Sequence, residues 1–193
     1  MITRHFARPG ASRRRAKSAG LTLLELMLAM TVMVIGLLGF AQVLMIATSS
    51  ATSAREESMA ANGAAEMLKT IQSAGFVQIF GLYNGTPGDD PGGAGTAPGK
   101  DFAVAGLNAA PNDPDGLPGE VLFPVQAGAP GALREDLVDA SFGTPRDLDL
   151  DGAIDNANHA ANYTLIPVVV RVRWRGTRGI GVYELKTMIA NLP

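Results

Sequence analysis

Gly20-Leu21-Thr22-Leu23-Leu24-Glu25-Leu26 stands between a basic tail and a long apolar run. No charged residue occurs from 26 to 54, and within that stretch residues 26–46 are interrupted only mildly, by Thr31, Gly36, Gly39 and Gln42. As a helix rising about 1.5 Å per residue, those 21 residues span roughly 31 Å, the hydrocarbon thickness of a bilayer. Glu25 sits just inside the start of this run. A carboxylate there is costly in lipid unless a cationic partner meets it, so it reads as functional by default.

The formal net charge of −2 hides an asymmetry. Residues 1–20 hold Arg4, Arg8, Arg13, Arg14, Arg15 and Lys17 and no acid, and the remainder has ten basic against eighteen acidic residues, about −8. A basic end ahead of an apolar run is expected to stay cytoplasmic, with the rest exported. An ordinary secretory signal has an apolar stretch of roughly 7–15 residues before a small-residue cleavage site. The run here is longer, and an acid falls at its start. A plain signal anchor explains the flank and the span but leaves the Gly20/Glu25 spacing without a reason. There is no cysteine, so disulfides cannot hold the loops even where an exported location permits them.

Gly20, Leu21, Thr22, Leu23, Leu24 and Glu25 resemble the cleavage and methylation motif of type IV pilins and pseudopilins. The resemblance implies that a prepilin peptidase cuts after Gly20 on the cytoplasmic side and methylates the new amino group of Leu21. It also implies that Glu25 neutralises the Leu21 amine of a neighbouring subunit and sets axial register. In low dielectric such a pairing is worth several kcal/mol, because the alternative is two unpaired charges. Leu21 is a departure, since the family usually has phenylalanine there. Val34-Ile35-Gly36-Leu37-Leu38-Gly39-Phe40 resembles the PilV-like minor pilins, as do Val170-Arg171-Val172-Arg173-Trp174 and Leu185-Lys186-Thr187-Met188-Ile189-Ala190. Minor pseudopilins of type II secretion share much of this. The resemblance covers the first fifty residues well and the last thirty weakly, and residues 81–160 resemble no family. Many pilins close a C-terminal loop with a disulfide, which this chain cannot do.

Beyond the apolar run the chain continues as an amphipathic helix. Ala60, Ala64, Met67, Leu68 and Ile71 make one apolar stripe, with Asn62, Glu66, Lys69 and Ser73 on the opposite face. With no proline between Leu21 and Val77, one helix is expected over about 21–73, on the order of 80 Å long, capped at its end by Gly75. Gly36 and Gly39 fit close helix approach in a membrane, a loosening point, or simple tolerance of glycine by membrane helices. Seven glycines and three prolines in residues 81–100 predict an irregular loop. Phe102-Ala103-Val104 and Val121-Leu122-Phe123 are short strand candidates around a turn at Pro111-Asn112-Asp113-Pro114-Asp115-Gly116. At the C-terminus Val168, Val170, Val172 and Trp174 alternate, then Tyr183, Leu185 and Ile189 follow Gly176-Thr177-Arg178-Gly179. This predicts an antiparallel hairpin with one buried face, laid over the helix stripe, and Glu184 pairing with Arg171 or Arg173 on the other face.

Asp147-Leu148-Asp149-Leu150-Asp151-Gly152-Ala153-Ile154-Asp155 resembles the opening of an EF-hand-like calcium loop. Asp147, Asp149 and Asp151 are the expected ligands, Ala153 offers its carbonyl, and Asp155 acts directly or through water. Position twelve is Asn158 in place of a bidentate glutamate, so affinity is expected to be low, suited to an extracellular range of roughly 10⁻⁴–10⁻³ M. The competing reading is a solvated acidic loop. Asp113, Asp115 and Glu120 form a weaker acidic cluster, read as an ordinary turn. Arg171, Arg173, Arg175 and Arg178 stripe the hairpin's outer face, but 13 acids against 3 bases between Asp89 and Asp155 make nucleic-acid binding a poor expectation. Catalysis finds no support: His5 falls in the basic tail, His159 lies beside the acidic loop, and no nucleophile-elbow or phosphate-loop pattern occurs.

The expected fold is therefore α+β, with a long N-terminal transmembrane and amphipathic helix packed on a small antiparallel sheet, as in pilins. Its expected parts are a cleaved basic leader at 1–20, a helix at 21–73 with its transmembrane half about 24–46, and an exported β domain at 74–193 with glycine- and proline-rich loops. The expected function is that of a minor structural subunit of a type IV pilus, not an enzyme. Expected partners are other pilins or pseudopilins, the prepilin peptidase and an assembly platform in a bacterial inner membrane. The alternatives are a minor pseudopilin of type II secretion, or a membrane-anchored calcium-binding or adhesive domain that never polymerises.

Overall fold

A computed structural model describes residues 22–191 of the chain. The fold is α+β, and the chain divides into two compact units, Met1–Met45 and Ile46–Pro193. One helix, α1 (Leu23–Ser73), begins in the first unit and ends in the second. It starts where Thr22 caps it: Thr22 Oγ1 accepts the Glu25 N–H at 3.2 Å, and the Thr22 carbonyl accepts the Leu26 N–H at 3.1 Å. A threonine side chain thereby satisfies one of the orphan donors of the first turn.

In the first unit every described residue of α1 is exposed, including Leu23, Met27, Met33, Ile35, Leu38 and Phe40. Apolar all round in this first part, the 51-residue α1 is the described helix with the length and composition to cross a membrane. Its hydroxyls are self-satisfied, as Thr31 Oγ1 donates to the Met27 carbonyl at 2.8 Å.

In the second unit α1 buries the expected stripe. Ala60, Ala64 and Ile71 are fully buried, with Met67 and Leu68 packed beside them. The stripe meets a four-stranded antiparallel sheet in the order β1 (Asp101–Phe102), β2 (Gly119–Leu122), β5 (Leu165–Gly176), β6 (Gly179–Ala190). A separate two-stranded piece pairs β3 (Val125–Gln126) with β4 (Ala129–Leu133). The hairpin β5–β6 pairs twelve residues against twelve, from Leu165 opposite Ala190 to Gly176 opposite Gly179. Val168, Val170, Val172 and Trp174 are buried as their alternation requires, while Arg173 and Arg175 are exposed. Nearer the start of β5, Ile166, Pro167 and Val169 are buried too, so both faces are covered there.

Two close approaches explain glycines that carry no turn. Trp174 faces Gly181 across the hairpin, and a Cβ at 181 would lie 2.3 Å from the indole Cε2. Gly63, on α1, lets Val104 come so near that an added Cβ would meet its Cγ1 at 2.7 Å.

Four local expectations need correction. Gly75 is not a left-handed cap: its φ is −62°, and it opens a 3₁₀ turn, Phe76–Gln78, after α1 closes with Ala74 N–H on the Ile71 carbonyl at 3.1 Å. A short helix α2 (Ile79–Tyr83) follows, running into the glycine-rich stretch, and buries Ile79, Phe80 and Tyr83. Tyr163 ties it down, donating to the Phe76 carbonyl at 2.6 Å and accepting the Phe80 N–H at 3.3 Å. Finally, the strand expected at 102–104 is only Asp101–Phe102, with Val104 buried beyond it against Gly63, and the strand expected at 121–123 is Gly119–Leu122.

Candidate assembly segment and candidate metal centre

Gly20 and Leu21, the expected cleavage and methylation positions, lie outside the described residues. Glu25 is exposed in the first turn of α1, and the Thr22 cap makes Thr22-Leu23-Leu24-Glu25 a Thr-x-x-Glu capping sequence. A carboxylate in a first turn also meets the positive end of the helix dipole, a gain of about 0.3–1 kcal/mol. The segment thus presents an acid on a well-formed helix start, followed by a largely apolar surface. At Gly36 and Gly39 that surface is open, with nothing within 4 Å of where a Cβ would stand.

The acidic loop is organised from β4. Two residues past the strand end, Glu135 is 1% exposed, and its carboxylate is a peg for the loop. Its Oε1 accepts the N–H groups of Leu148 (2.5 Å) and Asp149 (3.3 Å), and its Oε2 accepts that of Asp155 (3.3 Å). Leu148, fully buried, anchors the loop in the core, and its carbonyl accepts the N–H groups of Thr164 and Leu165. Asp147 accepts from the Leu150 and Gly152 N–H groups at 2.6 and 2.8 Å, and Asp151 from Ala153 N–H at 2.8 Å. The curl places Leu150 at φ +64° and Gly152 at φ +92°. Glycine accepts that conformation freely, whereas leucine is strained in it.

The curl brings carboxylate oxygens of Asp147, Asp149 and Asp151 within 4.8 Å of one another. Asp155 is turned elsewhere: its Oδ1 accepts the Ala157 N–H at 2.7 Å and lies 3.1 Å from His159 Nε2. Asn158, the twelfth position, is committed to β4, accepting the Leu133 N–H at 3.0 Å and donating to the Gly131 carbonyl at 3.1 Å. His159 follows it down, its N–H on the Leu133 carbonyl at 2.9 Å, and is 4% exposed. There it meets Glu135 Oε2 at 3.6 Å and Asp149 Oδ2 at 3.4 Å. Burial pulls the imidazole pKa down, but the Asp155 hydrogen bond and the charges of Glu135, Asp149 and Asp155 outweigh it, for a net rise above 6.5. The Ala157 N–H, followed by His159, holds the Asp155 carboxyl below its ordinary range. Glu135, His159 and Asp149 form a second close group of ligand atoms. Glu135 was not singled out from sequence. Its signal is an acid two residues beyond a buried strand end.

The other charged features are self-contained. Glu120, Arg171 and Glu184 line up across β2, β5 and β6, with Arg171 Nε donating to Glu184 at 2.8 Å. Lys100 pairs with Glu120 at 2.6 Å, and Arg178 donates to Ser49 and Ser50 on α1. Arg171 of the basic stripe is thereby charge-paired, whereas Arg178 is held by neutral hydroxyls. Asp115 accepts the Leu117 N–H at 2.6 Å, as a turn residue does.

Residues 15–41 match the model of the prokaryotic N-terminal methylation motif, a span that contains Gly20, Leu21 and Glu25. No curated protein and no solved structure matches the chain. The N-terminal segment is thus similar to the region by which pilin-type proteins are processed and methylated.

Proposed function

We propose that this chain is a minor structural subunit of a type IV pilus. In this reading a prepilin peptidase removes residues 1–20 and methylates Leu21. The apolar half of α1 first anchors the subunit in the inner membrane, with its basic end in the cytoplasm, and then packs among neighbouring helices in the fibre. Glu25 offers its carboxylate to the Leu21 amine of an adjacent subunit. A buried charge left without that partner costs about 3–5 kcal/mol, enough to decide register.

One observation carries the reading. A methylation-motif match at residues 15–41 runs into a helix on which every large apolar side chain of the first unit is exposed. Such a surface has to be covered by lipid or by other copies. The remaining work is done by the second unit, which offers a sheet and loops for contacts at the fibre surface.

Mass spectrometry of the native N-terminus tests this. Methylated Leu21 is the expected result, and an intact Met1 on the mature protein overturns it, leaving a plain membrane-anchored domain. The pilus and the type II secretion pseudopilus share the processing step, so a chromosomal deletion separates them. Loss of twitching with secretion intact is expected, and the reverse assigns the subunit to the secretion fibre.

A further inference from the structure

We propose that Glu135, Asp149 and His159 form a binding site for a zinc-class divalent ion, which clamps the 147–159 loop to the end of β4. The inference is independent of whether the chain enters a filament.

His159 is almost wholly buried, yet its Nδ1, sealed from solvent, makes no hydrogen bond. The other ring nitrogen is engaged, with Nε2 3.1 Å from Asp155 Oδ1. A carboxylate in that place fixes the proton on Nε2 and leaves Nδ1 as a lone pair. That lone pair faces Asp149 Oδ2 at 3.4 Å, acceptor against acceptor. Something positive belongs between them. A proton on Nδ1 would give an ion pair with Asp149 at 3.4 Å but no hydrogen bond. A metal fits better. Two ligand atoms about 2.1 Å from a tetrahedral ion stand roughly 3.4 Å apart, the separation observed.

Two further features support an ion of this class. The first is the donor set: one imidazole with two carboxylates suits zinc and its neighbours, whereas calcium takes oxygen alone. The second is the support behind each donor. Asn162 Nδ2 donates to Asp149 Oδ2 at 2.7 Å, Asp155 holds His159, and three backbone N–H groups hold Glu135. Ligands held from behind are what a metal site needs before the ion arrives. Charge adds a reason. Three carboxylates, those of Glu135, Asp149 and Asp155, meet around one imidazole, while the nearby Arg134 is committed to Asp136 through contacts of 2.8 and 2.7 Å. In a chain without cysteine, such a clamp does the work of a disulfide in closing a long loop.

Asp149 also belongs to the Asp147–Asp149–Asp151 group, the calcium reading of the sequence, so the test must separate the two. The full-length chain, purified in detergent and stripped with a chelator, is titrated with Zn²⁺ and, separately, with Ca²⁺, by calorimetry and thermal unfolding. One zinc per chain and a raised Tm are expected. His159→Gln should weaken zinc binding about 100-fold or more, Asp155→Asn about 10–100-fold, and Asp151→Asn only a few-fold. Should His159→Gln fail to fold, Co²⁺ loaded into the wild-type chain decides: visible bands of a four-coordinate nitrogen and oxygen site support the proposal, and an octahedral spectrum overturns it. Absence of zinc binding at micromolar metal overturns it, as does zinc binding that a folded His159→Gln leaves unchanged. A calcium-driven rise in Tm that Asp151→Asn abolishes and His159→Gln does not also overturns it, by assigning the ion to the aspartates alone.

Discussion

The two ends of α1 are both apolar, and they meet opposite fates. Up to Ile46 its leucines, methionines, valines and isoleucines all stand exposed, Leu23 at 78% and Met45 at 72%. From Ala60 to Ile71 it buries a stripe of small and medium side chains to 0%. The difference lies in pattern more than in hydrophobicity. The first half is apolar all round and has no polar face to turn to water, so it suits lipid or copies of itself. The second half confines its apolar residues to one side, where a sheet of the same chain covers them. One helix is built for two surroundings.

The largest effect is expected at Glu25. With alanine there, incorporation into filaments should fall on the order of 100-fold or more, the equivalent of one unpaired buried charge. The Tm of the 46–193 unit should not move, since Glu25 makes no contribution to its core. The readout is subunit content of sheared fibres beside thermal unfolding of the whole chain in detergent. Normal incorporation of the variant removes the basis of the proposed assembly.

A matched pair of isoleucines sharpens the contrast. Ile71 is fully buried, so Ile71→Ala should cost about 2–5 kcal/mol and lower the Tm by roughly 5–15 °C. Ile35 is 65% exposed, so Ile35→Ala should leave that transition where it is. Equal shifts would mean that the first half has an intramolecular partner after all.

Two glycines make the same point at lower energy. At Gly63 an added methyl meets Val104 at 2.7 Å, an overpacking that costs about 1–3 kcal/mol, offset in part by better helix propensity. At Gly36 nothing stands within 4 Å, so Gly36→Ala should only strengthen the helix, by up to about 1 kcal/mol. Thermal unfolding checks the first, and helicity in detergent by circular dichroism checks the second.

How much of this was legible in the sequence follows from the range of the interactions. The end of α1 at Ser73 and the hairpin of β5 and β6 are written in local periodicity, so residues such as Ile71 and Val170 could be placed by counting. The helix α2 could not, because Ile79, Phe80 and Tyr83 make too short a pattern beside the glycines, and Tyr163 pins it from 83 residues away in sequence. Gly75 read as a cap because it follows the last periodic residue, but the chain leaves α1 through a 3₁₀ turn that needs no left-handed residue. In the acidic loop, alternate aspartates announced a convergence of carboxylates. The peg that shapes it, Glu135, lies 13 residues upstream of Leu148 and bears no spacing relation to the motif. His159 was visible as a neighbour of that loop, whereas its burial depends on its pairing with Leu133. Long-range pegs of this kind leave no periodic trace.

The gentlest test concerns Glu56, where α1 is tied to the tip of the hairpin. Its carboxylate accepts the Thr177 hydroxyl at 2.7 Å, the Thr177 N–H at 3.1 Å and the Trp174 Nε1–H at 3.4 Å. The Thr177 hydroxyl is the main reason that its pKa lies below the ordinary 4.5, with the Thr177 N–H and Trp174 adding to it against some desolvation. A carboxyl whose pKa is lowered by folding stabilises the fold above its unfolded value, and that contribution fades as pH drops through the folded one. The tie should therefore be intact at neutral pH and loosen only below 4.5. Because the group is only half-buried, the effect should be local: a smaller amide protection factor at Thr177 in acid, each rate being divided by the intrinsic rate at that pH, with the protection of Val170 unaltered. Glu56→Gln should bring that lower protection to neutral pH and make it independent of acid. If the wild-type Thr177 amide is protected equally at pH 7 and at acid pH, the hairpin tip is held by the strand pairing of Gly176 with Gly179 alone, and the helix contributes nothing to it.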